Sequence, residues 1–265
     1  MTDPRPDVLF TRVHTALQQL QLPHMAAQLD TLTAQAATDQ WSPLNYLDHL
    51  TQVEANARFE RDVQRKLRLA HLPFFKTLDQ FDFAFQPSLN EQQVRDLASL
   101  RFIANADNLL LLGPPGVGKT HLAVALAMAA LMRGFSVYFS TVADLLETLA
   151  RDARADRLAQ RMQILCRPHL LILDEMGYFS LDKRAAQFLF QLVSRRYQKG
   201  SILLTSNKSY ADWGDIFADP VLASALLDRL LHQSVTLNIR GSSYRLKDKL
   251  RASPSADPAA HPKET

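Results

Sequence analysis

The chain has 265 residues, 47% of them hydrophobic and 22% charged. That composition excludes a wholly disordered or fibrous protein and allows one large domain or two smaller ones. The net charge of +3 and pI near 9.0 say little about partners, so the placement of basic residues matters more than their sum. The single cysteine, Cys166, supports neither an internal disulfide nor a zinc site of its own. No secretory pattern follows Met1, and runs such as Leu109–Leu112 are too short to span a bilayer. The expectation is a protein of the reducing cytoplasm with no membrane partner.

From Val8 to Leu72 the pattern is helical. Leu9, Val13, Leu17 and Leu20 recur at helical spacing, and Leu22, Met25, Ala26, Leu29 and Leu32 repeat it. Ser42-Pro43 supplies an N-cap and a proline at the first helical position, and the long helix it opens is predicted to stop at Leu72-Pro73. Residues 1–72 therefore read as a small N-terminal all-helical domain. Residues 73–89, rich in aromatics and turns, read as a packed linker. From residue 90 to about 252, helix-length segments alternate with five short apolar runs: Leu109–Leu112, Val137–Phe139, Leu170–Leu173, Ile202–Thr205 and Val235–Ile239. That alternation predicts an α/β domain with a five-stranded parallel sheet flanked by helices. Residues 253–265, rich in Pro, Ala and Ser, are expected to be a disordered tail.

Gly113-Pro114-Pro115-Gly116-Val117-Gly118-Lys119-Thr120 matches the phosphate-loop pattern in full. It stands where that motif must stand, after an apolar strand and before a helix opened by His121. Backbone N–H groups freed by the glycines can cradle phosphate, and the helix N-terminus adds partial positive charge. Lys119 is expected to reach the β- and γ-phosphates of ATP and Thr120 to contact Mg2+. Some sixty residues on, Leu170-Leu-Ile-Leu ends in Asp174 and Glu175. Asp174 suits the magnesium shell, and Glu175 suits a base that deprotonates a water attacking the γ-phosphate. That pair favours ATP hydrolysis over phosphoryl transfer to a second substrate. Asn207, after Ile202–Ser206, is placed either to bond the γ-phosphate or the attacking water, or merely to cap a turn. Arg229, in the helix Pro220–His232, is either an arginine finger or half of a local surface pair with Asp228.

Gly113–Thr120, Asp174-Glu-Met-Gly-Tyr178, Leu204-Thr-Ser-Asn207, Leu226-Leu-Asp-Arg-Leu-Leu231 and Arg240-Gly-Ser-Ser-Tyr-Arg245 together resemble the IstB family. These AAA+ ATPases are helpers of bacterial insertion-sequence transposases and kin of the DnaC helicase loaders. Leu22-Pro-His-Met-Ala and Arg68-Leu-Ala-His-Leu-Pro73 also look like that family, and the resemblance runs from about Leu9 to Arg251. It implies an AAA+ phosphate-loop core, Asn207 as the sensor, Arg229 as a finger acting in trans, and a homo-oligomer with ATP sites at subunit interfaces. It also implies binding and deformation of DNA and stimulation of a transposase. The residues after Arg245 are too few for the C-terminal lid domain of broader AAA+ enzymes.

Two rows of basic residues are candidates for duplex DNA. Arg58, Arg61, Arg65 and Arg68, flanked by Lys66, share one side of the long N-terminal helix, with Phe59, Val63 and Leu67 expected to pack on the other. The bland alternative is a solvated face with Glu60 and Asp62 as partners. Arg151, Arg154, Arg157 and Arg161 form the second row, diluted by Asp152 and Asp156. Neither row is interleaved with aromatics, so phosphate contact with duplex is a simpler reading than base stacking. The leading reading is a DNA-stimulated ATPase that prepares target DNA for its transposase. A loader of a replicative helicase, a nucleotide-dependent scaffold and a small-molecule kinase follow in that order.

Overall fold

In the computed structural model, the described residues are 6–217 and 219–247, and the chain divides into two compact units between Arg65 and Lys66. The tail expected over 253–265 lies outside the described residues.

The first unit holds α1 (Pro6–Gln19), α2 (Pro23–Thr38) and most of α3 (Pro43–Leu69). Ser42 Oγ accepts the Asn45 N–H at 3.2 Å, as the expected N-cap requires. Leu17, Met25, Ala26, Leu29 and Leu50 form its core, joined by Phe10, Leu22, Leu32 and Tyr46. The helical spacing is borne out, but coverage of the rows is partial, and the expected packing of Phe59 fails. Of the α1 row only Leu17 is buried, while Leu9, Val13 and Leu20 are exposed. On α3, Val63 is buried and Leu67 partly so, but Phe59 is exposed. Three turns of helical spacing identify a face, and the available partners decide how much of it is covered.

The second unit is a parallel sheet in the order β2-β3-β4-β1-β5. The strands are β1 (Asn108–Leu112), β2 (Val137–Thr141), β3 (Leu170–Met176), β4 (Ser201–Ser206) and β5 (Ser234–Asn238). All five expected runs form them. Alternation assigns their faces. Leu109, Leu111, Ile172 and Leu203 pack with Leu122 and Leu126 of α6 (Lys119–Met132). Leu171, Leu173, Ile202 and Leu204 pack on the opposite face with residues of α7 (Val142–Arg154), α8 (Leu158–Cys166), α9 (Lys183–Arg196) and α11 (Pro220–Leu231). Both faces are covered, which is why these strands read as continuous apolar runs. Short helices α4 (Glu91–Leu97), α5 (Arg101–Ala104) and α10 (Trp213–Ile216) complete the unit. Past β5 the described chain holds one 3-10 turn, Tyr244–Leu246.

The long helix α3 stops three residues before the predicted Leu72. His71 takes a left-handed φ of 55°, and Pro73 disfavours helical geometry at Leu72. The chain then docks on the sheet edge: the Phe139 N–H donates to the Ala70 carbonyl at 2.8 Å.

Candidate nucleotide-binding site

The loop between β1 and α6 turns on glycines. Gly118, the N-cap of α6, has φ 96°, and a β-carbon there would meet Phe81 at 2.6 Å. Gly116 has φ 83°, and a β-carbon there would strike Ser243. Only glycine meets both demands at low cost. Lys119 is 7% exposed, and its ammonium donates to the Gly113 and Pro114 carbonyls at 2.6 and 2.8 Å. Burial lowers the pKa of Lys119; Asp174 and Glu175 pull it back up, and Arg245 opposes them.

The two acids sit on an irregularity of β3. Leu173 pairs with Leu204 and Met176 with Ser206, so Asp174 and Glu175 together lie opposite the single residue Thr205. This is a β-bulge, and Glu175 absorbs it with a left-handed φ of 66°. The two successive side chains thereby escape strict alternation. Asp174 is buried and accepts from Thr120 Oγ1 at 2.9 Å and from Thr205 Oγ1 at 2.5 Å. The Glu175 N–H donates to the same Thr205 oxygen at 3.0 Å. The Glu175 side chain is exposed and lines the cleft. Thr120 and Asp174 offer adjacent hard oxygen donors, which fits a magnesium ion that arrives with phosphates.

The cleft above the loop measures about 580 Å³, within the ~300–1,000 Å³ usual for ligand pockets. Gly116, Val117, Gly118, Lys119, Thr120 and His121 line it, whereas Gly113, Pro114 and Pro115 shape the loop without lining it. His121 Nε2 lies 3.2 Å from the Thr77 carbonyl, with its ring edge-on to Phe81, and burial lowers its pKa. Residues 73–89 turn out to be more than a linker: Phe74, Lys76, Phe81 and Gln86 form part of the cleft wall. The segment Arg240–Lys247 passes between them and the loop. Tyr244 N–H donates to the Gly116 carbonyl at 2.9 Å, and Gln86 Nε2 to the Ser242 carbonyl at 3.1 Å. Lys247 pairs with Asp82 at 2.6 Å and lies over the rings of Phe85 and Tyr244. The same segment brings Arg245 into the cleft.

Asn207 and Arg229 do not line this cleft. Asn207 Oδ1 is buried beside Gly177 without a hydrogen-bond partner. The Arg229 guanidinium lies over the Phe190 ring, 4.4 Å from its centroid.

The basic rows are more committed than their spacing suggests. Arg58 donates to Glu54 at 3.0 Å and to the Gln21 carbonyl at 2.8 Å. Glu54 is buried and also accepts the His24 and Met25 N–H groups. Burial works to raise its pKa, and these bonds more than offset that. The organising acid is thus Glu54, nearly two turns earlier than the expected Glu60. Arg61 stands 3.7 Å from the same carboxylate and Arg65 pairs with Asp62, yet both remain exposed, as does Arg68. Lys66 donates to the Gly134 carbonyl. The second row is not one helix face: α7 ends at Arg154, and Asp156 turns the chain with φ 55° before α8. Asp152 is buried, accepts Arg161 at 2.6 Å and stands 3.6 Å from Arg157. It therefore pins the α7–α8 corner rather than diluting a stripe, and the Arg161 bond leads the effects that lower its pKa. Arg151 and Arg154 are exposed.

A phosphate loop after β1, two acids on β3, the strand next but one, and this strand order define a phosphate-loop ATPase of the AAA+ class. The profile of the IstB-like ATP-binding proteins matches residues 15–252, and the chain belongs to that family. It is 47% identical over 236 residues to a Pseudomonas aeruginosa protein named as an ATP-binding protein of insertion sequence IS21, covering 89% of each chain. It is 44% identical over 238 residues to the corresponding protein of insertion sequence IS5376 from Geobacillus stearothermophilus, covering 90% of this chain and 95% of that one. Among solved structures it is similar in fold to AMPPCP-bound DnaA from Aquifex aeolicus, with TM-score 0.55 and 21% identity over 68% of this chain and 56% of that one. The DnaC helicase loader is a second fold relative, with TM-score 0.50 and 23% identity over 62% of this chain and 96% of that one. No described helix is long and apolar enough to cross a membrane.

Proposed function

We propose that this AAA+ ATPase is a DNA-binding helper of a transposase, working in the cytoplasm as a homo-oligomer whose ATP sites lie between subunits. The observation that carries the chemistry is the bulge that presents Asp174 and Glu175 beside Thr120 and Lys119. In this reading the loop amides and Lys119 hold the phosphates, and Thr120 and Asp174 hold magnesium. A magnesium ion held by these two residues would supply positive charge that offsets the negative charge developing on the phosphate oxygens. Glu175 takes a proton from the water that attacks the γ-phosphorus, the bond to the bridging oxygen breaks, and ADP and phosphate result. Asn207 orients the γ-phosphate or the water. Arg229, which does not line its own subunit's cleft, serves the neighbour's. Duplex phosphates meet the exposed arginines, Arg61, Arg65 and Arg68 on α3 and Arg151, Arg154 and Arg157 at the α7–α8 corner, while Arg58, Lys66 and Arg161 hold the protein's own carboxylates or carbonyls. The association of 44–47% identical relatives with insertion sequences supports a transposase as the partner.

The test is to measure ATP binding, ATP turnover and duplex retention together. Lys119→Ala should lose ATP binding and nucleotide-dependent retention. Glu175→Gln should bind ATP, turn it over about a hundredfold more slowly and stay on the duplex. Normal turnover by Glu175→Gln, or duplex retention indifferent to nucleotide, would contradict the proposal.

A further inference from the structure

We infer that Thr205 is a positioning residue that sets both acids of the hydrolytic site with one hydroxyl; the inference rests on the roles proposed above for Asp174 and Glu175. Thr205 is the lone residue of β4 facing the two-residue bulge of β3. A bulge leaves a backbone group outside the regular ladder. Here that group is the Glu175 N–H, and Thr205 Oγ1 accepts it at 3.0 Å. The same oxygen carries a proton, which it donates to Asp174 Oδ1. A hydroxyl has one donor and two acceptor lone pairs, so both bonds form at once. Thr205 is 1% exposed, which keeps water from replacing either bond.

The two bonds divide the work. Holding the Glu175 amide fixes the left-handed residue whose φ of 66° turns the carboxylate to the cleft. Left-handed geometry at a non-glycine residue is costly and persists where its surroundings over-determine it. Thr205 holds Asp174 Oδ1 from one side, and Thr120 Oγ1 lies 2.9 Å from Oδ2 and 3.2 Å from Oδ1, so the carboxylate keeps one orientation toward the metal position. Serine preserves this chemistry; valine preserves the shape and removes both bonds.

The experiment compares wild type, Thr205→Val, Thr205→Ser and Thr205→Ala, with Glu175→Gln alongside. The readouts are kcat, ATP affinity in magnesium, ATP affinity in EDTA, and a melting curve. Thr205→Val should bind ATP in EDTA as wild type does, gain less affinity when magnesium is added, and lose about a hundredfold in kcat, the scale expected for a misplaced catalytic group. Thr205→Ser should recover most of both. A folded Thr205→Val with wild-type kcat and wild-type response to magnesium would overturn the inference. So would Thr205→Ser as impaired as Thr205→Ala, which would make the methyl group and its packing the cause. If valine prevents folding, the serine–alanine pair, which differs only in the hydroxyl, decides alone. Normal turnover by Glu175→Gln would overturn the proposed base instead, a result separable from any effect of Thr205 on the magnesium response.

Discussion

Arg196 carries a guanidinium that is 1% exposed and donates to four carbonyls, those of Leu165, Pro168, His169 and Ser201. It ties the end of α8 to the starts of β3 and β4. Burial brings its pKa down to about 10, so it remains cationic at neutral pH. Replacement by methionine would leave those carbonyls without their donor, and we expect a loss of at least about 3 kcal/mol. Lysine should rescue little, because one ammonium cannot reproduce a planar fork. Urea unfolding of the three proteins checks this; a lysine variant as stable as wild type would show that charge alone suffices. Nothing in the sequence marked Arg196, since Arg195-Arg196 at a helix C-terminus is what the helix dipole favours on any exposed surface. Lys119, Thr120 and Asp174 were legible because a phosphate loop and a strand-ending acid have fixed spacing relative to their elements. Thr205 was not, because its importance depends on a bulge in a different strand.

At the scale of elements, all five strands were legible, and the ends of the helices less so. Buried parallel strands carry their signal in their own side chains, whereas α3 ends where the following chain docks on β2. Residues 73–89 and 240–247 illustrate the same limit. Their aromatics read as packing, and only the fold reveals that they pack against the phosphate loop. Asp152 read only as a charge diluting its row, and Glu54 was not marked, because both look like ordinary surface residues in a helical pattern. The geometry narrows the DNA test. Arg61 and Arg65 are 60% and 66% exposed, and exposed pairs such as theirs are worth little, which leaves them available to phosphate. Changing both to alanine should weaken duplex binding on all sequences alike and flatten the log–log salt dependence by about two units per engaged subunit. Alanine favours helix, so α3 should persist. A salt titration beside a melting curve tests this, and an unchanged slope in a folded protein would make the row a solvated face.

For the whole molecule, the second unit's described residues form a cleft with its own loop, magnesium-competent oxygens and candidate base, and Arg229 is not among the residues that line it. Lys119 and Arg245 are cations of the cleft itself, and the proposed assembly would add Arg229 of a neighbour to meet charge developing on the γ-phosphate. The most direct measurement mixes two inactive proteins. Arg229→Ala should bind ATP nearly normally and hydrolyse it poorly, and Lys119→Ala should not bind it. Co-assembled, the two should recover part of the wild-type turnover, because some interfaces then pair an intact pocket with an intact arginine. No recovery at any mixing ratio, in subunits shown to co-assemble, would contradict a site shared between subunits.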